Sequence, residues 1–194
     1  MDTTYEPLIK FIKRIIDLPD TEVAKVLQLF KPVRIAKGEY YIREGQVPKK
    51  FAFVEKGLFR YLYINNKGTE FTKNFIPENS FLSAYSAMIS QQPSRMFIEA
   101  LEESYIYEIH YHDWLKLKKG HQCWDKLLIT ILEKAFSVKE TRERDLLLLE
   151  AQERYEIFKQ EFPTLEKRIK QHIIASYLGI SPISLSRIRN KTAS

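Results

Sequence analysis

The chain has 194 residues, 44% hydrophobic and 13% aromatic, which is ample for a packed core and excludes global disorder. Its single cysteine, Cys123, excludes an intrachain disulfide framework and a four-thiolate iron–sulfur centre, and fits a reducing cytoplasm. Of the net charge of +6, residues 154–194 carry +5, eight Lys or Arg against three Glu, so the rest of the chain is nearly balanced. A basic end of this kind suits a polyanion, whose displaced counterions drive association.

The opening Met1-Asp2-Thr3-Thr4-Tyr5-Glu6 lacks the basic and then apolar run of a signal peptide. No apolar run reaches the length of a membrane span, so a cytoplasmic chain with no membrane partner is expected. Residues 1 to about 30 read as two helices. Leu8, Phe11, Ile12, Ile15 and Ile16 make one stripe, Val23, Val26, Leu27 and Phe30 the other, with Pro19-Asp20 between. From about 32 to 112 the texture changes to short β-branched and aromatic runs. Strands are predicted at Val33–Ala36, Tyr40–Arg43, Phe51–Glu55, Phe59–Ile64, Phe71–Phe75, Phe97–Leu101 and Ile106–His110. Their turns carry Gly38, Gly45, Gly57, Gly68 and Pro77-Glu78-Asn79. Strands at this spacing predict an antiparallel sandwich or rolled barrel.

A long helix is predicted from about Gln122 to Ala151. Its first half is apolar on more than one side, so one face can pack within the chain and another on a second copy. Leu128, Ile131, Leu132, Ala135 and Val138 are the expected homodimer contacts. Gln152–Gln160 reads as a further helix, and Phe162-Pro163-Thr164 breaks the chain with Thr164 as the next N-cap.

Residues 171–190 read as a helix-turn-helix. Ala175 is small where two helices cross, and Gly179 falls four residues later, where the chain turns with positive φ. Ile174, Leu178, Ile180, Leu185 and Ile188 supply the apolar contacts. Ser181 is a natural N-cap and Pro182 suits the first turn. Ile183, Ser186, Arg187 and Asn190 then share one face at helical spacing, as a major groove requires. Arg187 is the expected guanine reader and Asn190 the adenine reader. Ser181, Ser184, Arg189 and Lys191 are expected on phosphates, with Pro182 and Ser186 completing the DNA-binding set.

Other chemistry is thin. His110 and His112 alternate on a predicted strand and therefore share a face, with His121 and Cys123 downstream, but no fixed metal spacing follows. No P-loop, G-x-S-x-G or H-E-x-x-H is present. No enzyme, metal site or resident cofactor is expected.

Together these residues resemble the Crp/Fnr transcription regulators. Lys37-Gly38-Glu39-Tyr40-Tyr41-Ile42-Arg43-Glu44-Gly45 is similar to the strand pair that opens a cyclic-nucleotide-binding barrel. Phe51–Gly57 resembles the next strand, and Ile109–Leu117 the last strand with its exit. The order of barrel, long helix and C-terminal helix-turn-helix is also that of the family. Residues 175–189 look most like a branch common in Bacteroidetes-type bacteria. The resemblance implies an α+β fold with N-terminal helices, an antiparallel β-roll or jelly roll, a long dimerisation helix and a C-terminal helix-turn-helix. It implies a sensor over residues 1–121, a dimer helix over 122–151 and a DNA-binding domain over 152–194. The implied partners are double-stranded DNA, a second copy of the chain, RNA polymerase and a small-molecule effector of unknown identity.

Two departures narrow this. Cyclic AMP binders hold the ribose with a Glu and the phosphate with an Arg. Here the cassette reads Phe81-Leu82-Ser83-Ala84-Tyr85, with Ala84 at the Glu position. Ser94 stands at the Arg position, with Arg95 one residue off. Losing a charge-assisted contact of this kind costs about 2–3 kcal/mol, so cyclic AMP is not the expected effector. Ser83, Ala84, Tyr85, Ser94 and Arg95 remain the pocket candidates. At the other end, only Lys191-Thr192-Ala193-Ser194 follow the recognition helix, so no two-stranded wing is expected. The alternative is a sensing or interaction module whose helix-turn-helix no longer reads DNA.

Overall fold

The computed structural model describes residues 5–192; residues 1–4 and 193–194 of the expected terminal segments lie outside the described residues. Helices α1 (Glu6–Ile15) and α2 (Asp20–Leu29) lead into strands β1 (Lys31–Ile35), β2 (Tyr40–Ile42), β3 (Lys50–Lys56), β4 (Phe59–Ile64), β5 (Glu70–Ile76) and β6 (Ser80–Leu82). Helix α3 (Tyr85–Ser90), strands β7 (Phe97–Ala100) and β8 (Ser104–His110), and helices α4 (Tyr111–Gly120) and α5 (Cys123–Leu148) follow. The chain ends in α6 (Ala151–Glu161), α7 (Leu165–Arg168), α8 (Gln171–Leu178) and α9 (Pro182–Thr192). Two compact units divide it: residues up to 61 with 75–133, and 62–74 with residues from 134 onward.

The strands form two four-stranded sheets, ordered β1-β8-β3-β6 and β2-β7-β4-β5. β8 runs antiparallel to both β1 and β3, β3 to β6, and β2 to β7. Both sheets contribute to one apolar cluster that includes Ile35, Ile42, Ala52, Val54, Phe59, Leu82, Ile98 and Ile106. The strand period of two sends alternate residues of β3 and β8 to the opposite face. There Phe53, Tyr107 and Ile109 pack with Leu8 and Ile12 of α1, Val26 of α2, Trp114 of α4 and Trp124 of α5. This double-sided burial is why these strands read as near-continuous apolar runs. Gly57 adopts φ of +116°, and a Cβ there would stand 2.1 Å from the Ser104 hydroxyl, so only glycine fits the β3–β4 turn.

A buried polar cluster ties α2 to α5. The Trp124 indole N–H donates to Glu22 at 2.8 Å, and Lys25 pairs with the same carboxylate at 2.7 Å. Burial alone would raise the Glu22 carboxyl, but the hydrogen bonds from Lys25 and Trp124 outweigh it and hold the group below its ordinary value. A lowered value means stability that is full at neutral pH and lost as pH falls through it. Glu22→Ala leaves a buried indole N–H unpaired and is expected to cost about 1–3 kcal/mol in urea unfolding at pH 7. The difference from wild type should shrink toward acid pH.

Several expectations change. The long helix stops at Leu148 rather than near Ala151, because Glu150 caps the next helix in a reciprocal capping box with Glu153. Thr164 precedes α7 but makes no side-chain cap bond, since its backbone is already near helical. His112 lies in α4 rather than on a strand, so it does not share a strand face with His110. Strand β6 and helix α3 are additions, at three and six residues too short for a periodic signal. No helix among the described residues is long and apolar enough to cross a membrane. No group of three or more His, Cys, Asp or Glu among them is placed to hold a metal.

Candidate nucleic-acid interface

The C-terminal helices pack around aromatic rings. Phe158 of α6 lies 5.7 Å from both Phe162 and Tyr177, and the Phe162 and Tyr177 rings meet edge to face. Ile174, Ala175 and Leu178 of α8 and Leu185 of α9 are fully buried. Gly179 ends α8 at φ of +69°, and the Ile180 N–H closes back on the Ala175 carbonyl at 3.0 Å. Ser181 then caps α9: its hydroxyl accepts the Ser184 N–H at 3.1 Å and lies 2.9 Å from the Ser184 hydroxyl. The turn and the start of the second helix are therefore fixed by the residues that the pattern singled out.

Three further side chains, which the pattern did not single out, hold α8 in place. Arg142 of α5 donates to the Tyr177 carbonyl at 2.5 Å and to the Lys73 carbonyl at 2.8 Å, with its guanidinium 3.6 Å above the Tyr177 ring. Arg154 of α6 donates to the Leu178 carbonyl at 3.1 Å and also to that of Leu149. Two cations thus cap the C-terminal carbonyls of α8, where the helix dipole is negative. The Ser176 hydroxyl donates to the Glu70 carbonyl at 2.9 Å and accepts the Thr72 N–H at 2.8 Å, tying α8 to β5. Backbone partners distant in sequence leave no local motif, so these roles were not legible from the chain alone.

On α9, Ile183, Ser186, Arg187, Asn190 and Lys191 are exposed, as are Ser181 and Pro182 at its start. Leu185 is buried on the opposite side, so the polar face turns outward. Arg189 is half-buried and 3.7 Å from Glu166, which also accepts the Tyr155 hydroxyl at 2.6 Å. Burial and that bond push Tyr155 up to about 12. Arg189 is therefore better placed to join α9 to α7 than to hold a phosphate. Arg154, counted in the basic excess, is committed to carbonyls. Lys167, Lys170, Arg187 and Lys191 remain as exposed cations of the region.

The other expected site residues separate. Leu128 and Ile131 pack half-buried against the chain's own core, so they are not what α5 leaves uncovered. Leu132 is half-buried, while Ala135 and Val138 are exposed. Besides the terminal Leu148, the most open apolar side chains on the helix are Ile129, Phe136 and Leu147, at 54%, 65% and 78% exposure. At about 100° per residue these three share a face with Leu132, roughly opposite Val138. In the barrel, Ala84 is buried, Tyr85 is half-buried and Arg95 is exposed. Ser94 is buried and satisfied internally, donating to the Met96 carbonyl at 2.8 Å. The Ser83 N–H donates to the Tyr61 hydroxyl at 2.9 Å, while the Ser83 hydroxyl is buried without a partner among the described residues. Burial pushes Tyr61 up to about 12, which keeps it a neutral donor and acceptor.

Residues 32–121 match the cyclic nucleotide-binding domain family. No curated protein matches the chain. Among solved structures, FixK2 from Bradyrhizobium japonicum aligns with a TM-score of 0.74 at 17% identity, covering 84% of each chain. A transcriptional regulator of the Crp/Fnr family from Eubacterium rectale aligns at 0.71 and 15% identity, covering 90% of this chain and 83% of that one. The catabolite activator protein of Thermus thermophilus aligns at 0.57 and 19% identity, covering 91% and 84%. Residues 32–121 are therefore similar to a cyclic nucleotide-binding domain, and with its C-terminal helices the chain has the fold seen in these Crp/Fnr-type structures.

Proposed function

We propose that the chain is a homodimeric, DNA-binding transcription regulator of the Crp/Fnr type, whose sensor does not answer to cyclic AMP. The observation that carries the reading is α9: a capped helix with Ser186, Arg187 and Asn190 exposed on one face and Leu185 buried behind them. A helix of this kind fits a major groove, with Arg187 suited to guanine and Asn190 to adenine. Ser181, Ser184 and Lys191 surround it with phosphate donors. The open stripe of Ile129, Phe136 and Leu147 on α5, flanked by half-buried Leu132, supports a symmetric pairing of two copies, which would present two α9 helices about one DNA turn apart. RNA polymerase would be the downstream partner. Residues 175–189 support placement in the Bacteroidetes-type branch.

On the sensor side, Ala84 and the internally satisfied Ser94 offer neither the carboxylate nor the guanidinium that cyclic AMP needs. The unpartnered Ser83 hydroxyl beside Tyr61 favours a less charged effector. Selection of the purified full-length chain against a randomised duplex library tests the reading. A twofold-symmetric site with half-sites 10–10.5 base pairs apart is expected. Absence of any enriched sequence would favour the alternative, a sensing module that does not read DNA.

A further inference from the structure

Ile183 is the second residue of α9 and is 67% exposed. Isolated exposed apolar side chains are ordinary on protein surfaces, but this one has a particular setting. It shares its helical face with Ser186, Arg187 and Asn190, at spacings of three, four and seven residues, and all three are exposed. Polar neighbours on that face do not make an apolar patch for a protein partner. The N-terminal residues of a recognition helix are also those that reach base edges.

We propose that Ile183 reads the 5-methyl group of a thymine in the major groove, so that the chain prefers an A·T pair a few steps from the guanine read by Arg187. The proposal rests on the DNA-reading assignment of α9. Among unmodified bases only thymine shows a methyl group in that groove, and it is the natural partner for an aliphatic side chain. Position adds a constraint. Four residues of helix separate Ile183 from Arg187 by roughly 6 Å along the axis. That is about two base-pair steps at 3.4 Å each. The methyl-sensitive thymine should therefore lie within about two or three base pairs of the Arg187 guanine. A side chain with no hydrogen-bonding group at this position would then supply specificity rather than mark its loss.

Deoxyuridine substitution tests this with the full-length chain and the duplex recovered by selection. Each thymine is replaced singly by deoxyuridine, which removes one methyl and keeps every hydrogen bond. At one symmetric position, replacement should weaken binding by about fourfold in one half-site and about fifteenfold in both, the scale of one buried methyl. Ile183→Ala should bind more weakly to the thymine duplex and show no further loss on that replacement. Because Ile183 is exposed, the variant should retain the wild-type melting temperature. A wild-type chain that binds tightly but tolerates uracil everywhere would overturn this proposal and leave the DNA reading standing. So would an Ile183→Ala chain that keeps the wild-type sensitivity. A chain that binds no duplex overturns both.

Discussion

Arg187→Ala should lose most sequence-specific DNA binding while leaving the fold intact. Arg187 is exposed on α9, and an exposed substitution of this kind changes stability by about half a kcal/mol or less. A good bidentate contact between arginine and guanine is worth about 1–3 kcal/mol of discrimination. Twofold symmetry counts it twice, so affinity for the selected duplex should fall by about 30-fold to over ten-thousandfold. Competition with random DNA should show the loss to be one of specificity, with the preference relaxed at a single symmetric base pair. Arg189→Ala should behave differently. Its guanidinium sits near Glu166, so its removal should lower stability modestly and leave base preference unchanged. Fluorescence anisotropy alongside thermal melting separates the two outcomes.

Phe136→Glu should abolish the proposed pairing of two copies and leave a monomer. The ring is 65% exposed in the single chain, so the substitution costs the isolated fold little. In a symmetric pairing along α5, burial of each ring contributes about 1.5–3 kcal/mol, and the new carboxylates would face each other across the axis. Sedimentation equilibrium at micromolar concentration should show one chain where the wild type shows two. DNA affinity should fall by at least a hundredfold, because a monomer reaches only one half-site. Leu128→Ala, by contrast, removes a side chain packed on the chain's own core and should reduce stability without changing the oligomer. A Phe136→Glu chain that stays dimeric would place the interface elsewhere.

The residues that announced themselves in sequence act over short range. Gly179 turns the chain, Ser181 caps the next helix and Leu185 is buried, each within a few residues of the signal that predicted it. The strands of the barrel were legible from short β-branched and aromatic runs between turn residues, a signal that survives where β3 and β8 are buried on both faces and lose their alternation. What escaped was long-range or very short. Arg142 and Arg154 look like ordinary helical cations until their carbonyl partners on α8 are known. Ser176 looks like a filler until its bonds to Glu70 and Thr72 are seen. Apolar residues on α5 could be counted from sequence, but not divided between the face packed on the core and the face left open. Leu128 and Ile131 went to the former, and Ile129 and Phe136 to the latter.

Methylation interference on the selected duplex tests the central claim most directly. A methyl group placed on guanine N7 blocks the acceptor that Arg187 would use in the major groove. Two symmetric clusters of interfering guanines about one helical turn apart are expected with the wild-type chain, and neither with Arg187→Ala. Binding indifferent to guanine methylation, or a single cluster without a twofold mate, would contradict the account.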